Sequence, residues 1–374
     1  MEHSLFKDFI GTKELDTYLQ DTPWGNYFFP NFFPFKYTPF LKYETLIGSK
    51  GRSVMADVVA YNTSAPEKKR PIVSKLTGDI PSMRVKRAMD EVKLKEYDIL
   101  KGQASAPEQA LLDIVFDDVD FVTQGPLARV EWMTFQAMSQ GYIALSETNN
   151  QPGIITTTNI DFQMPAANKR VLATATATRK WNNGTSSNYL PITDIRDLVL
   201  AARSAGKKFK YAVMNYTNWL LFSAADEVKN QVWPYMGQNT VISSSSVPLP
   251  TLDAVNAYLR SQMLPEIILI DQSLYIEDSA HSQTAADPWV TKYVTFIPDK
   301  NIGENLYTPS AEELNKPPQV IQAKKGPILV SKWSDVDPTA EYTKGELNAF
   351  PSWPSIDSCY RLDTILNAAD GLDD

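Results

Sequence analysis

The sequence is poor in the residues that most often carry chemistry. A single cysteine, Cys359, among 374 residues excludes an intrachain disulfide and any cysteine-based zinc site. Only two histidines occur, His3 and His281, at opposite ends of the chain, and His3 lies in a terminus prone to fray. A Ser-His-Asp or Cys-His engine would therefore rest on His281 alone, inside the polar stretch Asp278-Ser279-Ala280-His281-Ser282-Gln283-Thr284. No Gly-x-Gly-x-x-Gly follows a strand, and neither Gly-x-x-x-x-Gly-Lys-Ser/Thr nor His-Glu-x-x-His occurs, so nucleotide and metalloprotease readings lapse. Long apolar runs are missing too: nowhere do about 18 apolar residues follow one another, and Met1-Glu2-His3-Ser4-Leu5-Phe6-Lys7-Asp8 has no segment of signal-peptide length. The expectation is a soluble protein made in the cytoplasm, with no membrane role. Basic charge is also short, 36 lysines and arginines against 44 acids for a net charge of −8, which excludes holding nucleic acid by blanketing its phosphates.

What is present is enough to fold. Hydrophobic residues make up 43% and aromatics 11%, so a core can form, and the length suits two or three packed units at about 100–200 residues each. Charge is unevenly spread, with 16 basic and 13 acidic residues up to Ala106 but 20 and 31 beyond it. The basic excess runs from Lys68 to Lys101 through Lys69, Arg70, Lys75, Arg84, Lys86, Arg87, Lys93 and Lys95. An acidic body with a basic arm attracts copies of itself. Carboxylates cluster at Asp113, Asp117, Asp118 and Asp120. Asp113 and Asp117 share a helical face, so repulsion could raise a pKa there, though a solvated face opposite Leu112, Val115, Phe116 and Val119 is the commoner outcome.

The first 47 residues crowd Trp24, Tyr27, Phe28, Phe29, Pro30, Phe32, Phe33, Pro34, Phe35, Tyr37, Pro39 and Phe40 together. Prolines so spaced predict an extended arm with one short helix near Thr12 to Leu19. Its rings need cover from the chain's own body or from a neighbouring copy. Alternation between Ser53 and Val85 around the polar tip Thr63 to Arg70 predicts a long two-stranded finger. A helix from Asp90 to Leu100 follows, then a long amphipathic rod from Pro107 to Gly141, with a kink or break at Gly125-Pro126. Strands are expected at Tyr142 to Leu145, Ile154 to Phe162 and Val171 to Thr178. From Ile192 to Asp299 the order is that of an α/β unit: helix Asp194 to Ala205 stopped by Gly206, strand Tyr211 to Met214, helices Thr217 to Val228 and Thr251 to Leu264, then strands Ile267 to Ile270 and Tyr293 to Ile297. The tail from Tyr307 is rich in Pro and Trp, and its end is expected to be loose.

This order of parts resembles the major capsid proteins of tailed bacteriophages with the HK97 fold. The run Arg129-Val130-Glu131-Trp132-Met133-Thr134-Phe135-Gln136-Ala137-Met138-Ser139-Gln140-Gly141, the strand end Asn159-Ile160-Asp161-Phe162, the helix opening Ile192-Thr193-Asp194-Ile195-Arg196-Asp197 and Phe296-Ile297-Pro298-Asp299-Lys300-Asn301-Ile302-Gly303 look like the lambda-type major capsid protein E branch. The resemblance implies an α+β fold divided into an N-terminal arm (1–44), an E-loop β-hairpin (45–89), a P-domain with a long spine helix (90–190), an A-domain (191–307) and a return to the P-domain with the C-terminal tail (308–374). It implies a head protein that self-assembles into hexamers and pentamers of an icosahedral shell around double-stranded DNA, without sequence-specific contact and without cofactor or metal. Scaffolding protein, portal protein and a decoration protein are the implied partners, and the virion the location. Some relatives weld subunits through a Lys–Asn isopeptide bond, but no pair in this sequence identifies one.

No catalytic residue is expected on this reading, only interfaces. If Phe28, Phe29, Phe32 and Phe33 each bury a ring on an adjacent copy, transfer energies of about 1.5–3 kcal/mol apiece make the arm a clamp before ordering costs. Lys68, Lys69 and Arg70 would dock on the acidic body of the next subunit, so salt should weaken early assembly. Two rivals stand beside this. One is a cytosolic α+β hydrolase using carboxylates, with Trp181, Trp219, Trp233 and Trp289 lining a cleft. The other is a different self-assembling virion part such as a tail-tube subunit.

Overall fold

The computed structural model describes residues 12–47, 74–101, 108–146, 149–150, 158–172, 179–182, 185–237, 247–277, 282–318, 320–337 and 339–367. The helices are α1 (Thr12–Asp21), α2 (Glu91–Lys101), α3 (Glu108–Gln140), α4 (Pro191–Ser204), α5 (Tyr216–Ala224), α6 (Asp226–Tyr235), α7 (Leu252–Ser261) and α8 (Ala311–Leu314). The strands begin with β1 (Phe35–Tyr37), β2 (Lys42–Ile47), β3 (Ser74–Asp79), β4 (Ser82–Met89), β5 (Tyr142–Leu145), β6 (Thr158–Asp161), β7 (Lys169–Leu172), β8 (Tyr211–Asn215) and β9 (Glu266–Ile270). They continue with β10 (Leu274–Glu277), β11 (Gln283–Ala286), β12 (Tyr293–Ile297), β13 (Glu304–Thr308), β14 (Ile321–Lys325), β15 (Ile328–Val336), β16 (Thr339–Ser352) and β17 (Tyr360–Asn367). Two compact units interleave along the chain: 1–43, 77–133 and 304–352 form the first, and 44–76, 134–303 and 353–374 the second.

The first unit is built on a sheet ordered β1-β13-β16-β15-β14, with β4 on the other side of β16. The 14-residue β16 is the hub, pairing with β15 from Thr339 to Glu346, with β4 from Glu341 to Asn348 and with β13 from Asn348 to Ser352. Gly345 sits where α3 crosses this strand. A Cβ there would lie 1.9 Å from the carbonyl oxygen of Val122, so only glycine permits the approach. The break expected at Gly125-Pro126 does not occur, because α3 stays helical through Pro126. An interior proline costs about 3 kcal/mol, and burial outweighs it: Val119, Val122, Leu127, Val130, Met133, Phe135 and Met138 are all within 1% of complete burial.

The finger expectation needs two corrections. Its paired stem begins earlier, with β2 on β3, and the returning chain does not stay in it, since β4 joins β16. Burial of Met83 and Met89 holds β4 on the sheet. Residues 48–73, including the tip Lys68, Lys69 and Arg70, lie outside the described residues. The tail, to which the sequence assigns no strand, supplies β14 to β17. Charged residues break its hydrophobic alternation yet are buried in pairs: Lys332 lies 3.9 Å from Glu341 and donates to Thr343, and Glu346 accepts from Arg84 and Lys344.

The second unit carries a sheet ordered β7-β17-β12-β8-β9, with β8–β9 and β7–β17 parallel and β12 antiparallel to both β8 and β17. Helices α4 to α7 bury Ile192, Ile195, Leu198, Phe222, Val228, Val232, Val255 and Leu259 in its core with Ala212, Met214 and Phe296 of the strands. α4 ends as predicted at Gly206, whose φ of +75° forms a Schellman turn: Gly206 N–H donates to Arg203 and Lys207 N–H to Ala202. Thr251 caps α7 by accepting from the N–H of Ala254. The single helix expected over Thr217 to Val228 is two, α5 and α6, parted at Ala225, whose ψ of 134° is extended. Asn215, rather than Thr217, caps α5. β10 and β11 pair as a separate two-stranded ribbon that the sequence reading lacks.

Candidate assembly surfaces

The aromatic arm is seated on its own body. Tyr18 of α1 stacks on Phe116 of α3 at 3.8 Å and donates a hydrogen bond to Asp120. Lys325, at the end of β14, donates to the carbonyls of Thr22 and Pro23 and lies 5.4 Å from the Trp24 ring. That ring occupies the space beside Gly326, where a Cβ would approach within 2.6 Å. Tyr27 donates to Gln124 on α3. The short 3-10 turn Phe29–Asn31 has its open N-terminal amides capped from outside: the Glu131 carboxylate accepts from Phe28 N–H at 3.0 Å and Phe29 N–H at 2.7 Å. Beyond the turn, Asn305 donates to Phe33 O, and β1 adds to β13 in parallel register.

Within a single chain the body covers three of the four rings expected to clamp a neighbour. Phe29, Phe32 and Phe33 are 1%, 2% and 0% exposed there. Phe28 is half-buried. The amides of the turn find their acceptor in Glu131. In the sequence Glu131 is one carboxylate among the buried positions of a helix, and nothing marks it as the partner of a segment about 100 residues away. Among the described residues of the arm, Trp24, Tyr37, Phe40 and Leu41 keep exposed apolar surface, with Phe40 70% exposed.

Burial pushes the Glu131 carboxyl up to about 7 against the opposing pull of its two N–H donors. The carboxyl thus binds its proton more tightly in the folded chain than its ordinary value of 4.5 allows when unfolded. Its contribution to stability is full below pH 4.5 and is lost as pH rises through about 7. Glu131→Gln keeps an acceptor oxygen but has no charge to desolvate. The urea midpoint of the wild-type subunit is expected to fall between pH 5 and pH 8 by more than that of Glu131→Gln; equal slopes would remove Glu131 as the titrating group.

The basic residues of β4 have partners within the chain. Arg84 pairs with Glu346 at 2.9 Å, Lys86 lies over the Tyr342 ring, and Arg87 bridges Asp117 and Asp118 while covering Phe121. Lys95 pairs with Glu91 one helical turn away. The Asp117, Asp118 and Asp120 part of the carboxylate cluster is accordingly a hydrogen-bonded polar face.

The tryptophans proposed to line a cleft are mostly core. Trp181 is fully buried and donates to Asp194; Trp289 is buried and donates to the Tyr293 carbonyl; Trp219 stacks on Phe222. Trp233 is half-buried on α6. His281 and His3 lie outside the described residues. Among the described residues, no helix is long and apolar enough to cross a membrane.

A protein described as a prophage capsid protein from Escherichia coli CFT073 has a similar structure, with a TM-score of 0.54 at 17% identity over 95% of this chain and 99% of its own. A phage-related protein of Bordetella bronchiseptica RB50 gives 0.52 at 14% identity over 95% and 98%. At such identities the likeness is one of fold, the α+β, HK97-like capsid fold. No curated protein sequence matches the chain. The phage major capsid protein E family matches residues 45–364, from within β2 to within β17. The chain belongs to that family and is a structural protein of the phage virion shell.

Proposed function

We propose that this chain builds a closed icosahedral shell of hexamers and pentamers around double-stranded DNA, assembled in the cytoplasm of the bacterial host. The family match over residues 45–364 carries this reading, because it takes in both units rather than one transferable module. Scaffolding, portal and decoration proteins are the partners such a shell calls for. Residues 12–44 of the arm act here as a strap that completes its own subunit, leaving Phe28, Tyr37, Phe40 and Leu41 and the basic tip Lys68, Lys69 and Arg70 as surfaces offered to neighbours. Many modest contacts of this kind close a shell through multivalency.

Electron microscopy of the purified full chain tests this reading. Shells, tubes or hexamers are expected, at higher yield in low salt because opposite charges guide the docking. Compact monomers at every protein and salt concentration would contradict it.

A further inference from the structure

The second unit is electrically polar along its strands. β7, β17, β8 and β9 all begin at one end of the sheet and β12 finishes there. To that end the chain brings Lys169 and Arg170 opening β7, Lys207, Lys208 and Lys210 leading into β8, and Lys300 leaving β12. Arg203 and Arg260, in the last turns of α4 and α7, join them. The Schellman turn at Gly206 delivers the lysines, and Tyr360 and Tyr211 form an aromatic floor: Arg170 and Lys207 lie 5.8 and 5.6 Å from the Tyr360 ring, and Lys300 lies 5.5 Å from Tyr211. Arg203, Lys208, Lys210, Arg260 and Lys300 are exposed. Three carboxylates answer them, Glu266 on Arg260, Asp299 on Lys210, and the buried Asp357.

The opposite end is acidic. β9 leaves it at Asp271 for the β10–β11 ribbon, which returns at Asp287. From Asp271 to Asp287, ends included, the sequence has four carboxylates, Asp271, Glu277, Asp278 and Asp287, and no lysine or arginine. The cations near this end are Lys292, which pairs with Asp363 and lies over the Tyr293 ring, Arg179, which pairs with the buried Asp194, and Lys180 beside it. The ribbon has only its two strands, with Leu274 and Ile276 half-buried and Tyr275 and Glu277 exposed. A lone hairpin is marginal in water and gains from an external support.

We propose that the basic end of the second unit receives the acidic β10–β11 ribbon of a second copy, head to tail. The proposal rests on the shell reading and gives it a contact. Charge complementarity selects the occupant: the patch is basic on a chain whose net charge is −8, so the matching acidic surface is carried by every other copy. Exposed Tyr275 enters a site rich in cations, the arrangement in which an aromatic face is attractive. A heterologous contact of this kind closes into a ring when its rotation divides a full turn.

The test is a charge swap in the full chain. Lys208→Glu with Lys300→Glu, and separately Glu277→Lys with Asp287→Lys, should each lower the yield of assembled particles at least tenfold at low salt. The chain carrying all four changes should recover it. Normal assembly of either pair variant, or failure of the fourfold chain to recover while its circular dichroism matches wild type, would overturn the contact. So would a Lys208→Glu, Lys300→Glu chain that assembles normally but no longer retains a duplex DNA probe, since the patch would then serve nucleic acid. Absence of particles from the wild-type chain would instead contradict the shell reading, and this contact with it.

Discussion

Phe33→Ala is expected to destabilise the unassembled subunit by about 3–5 kcal/mol, the usual cost of emptying a fully buried aromatic site. Phe33 is completely buried, its N–H donates to Phe29 O and its carbonyl accepts from Asn305, so the cavity would open beneath the point where β1 joins the sheet. Phe32→Ala should behave alike, Phe32 being 2% exposed. Urea unfolding of subunits kept below the assembly concentration measures this. An arm that waited for a neighbour would give the reverse: normal subunit stability with assembly alone impaired.

Gly345→Ala is expected to be as damaging, for a different reason. The added methyl would meet the Val122 carbonyl oxygen at 1.9 Å and its carbon at 2.7 Å, and both atoms belong to the backbone of α3. Helix backbone cannot give way as the end of a flexible side chain can, so helix and sheet must part. The cost is at the upper end of overpacking, about 3 kcal/mol or more, and largely insoluble expression is the outcome to look for. By comparison, a methyl at Gly125 meets only the side chain of Val85 at 3.1 Å and should be tolerated better. Equal solubility of Gly345→Ala and wild type would show that this close approach is absent from the molecule.

Much of the second unit could be read from local chemistry. The stop of α4 at Gly206, the Thr251 cap and the apolar runs of β8 and β9 are signals confined to a few residues, and each lies where the sequence puts it. Long-range partners left no such mark. The aromatic arm was visible as a segment needing cover, but what covers it is set by Glu131, Gln124, Lys325 and Gly326, none of which differs in local pattern from an ordinary surface or helix residue. The strands of the tail were hidden because Lys332, Glu341 and Glu346 are polar residues at buried positions and spoil the alternation that identifies a strand. β10–β11 was hidden because each strand is four residues long and only Leu274 and Ile276 of β10 alternate inward, too short a pattern to mark a strand. The break at Pro126 is absent because tertiary burial along α3 decides, although helix interiors usually exclude proline.

The central claim is that each copy arrives with its arm already seated on its own body, so that assembly joins finished subunits. Amide hydrogen exchange in unassembled subunits tests it most directly, at Phe28 and Phe29, whose N–H groups are held by Glu131, and at Phe33, held by Phe29. Protection of these three amides before assembly, unchanged in the shell, is the predicted result. Rapid exchange in the free subunit, with protection appearing only on assembly, would contradict it.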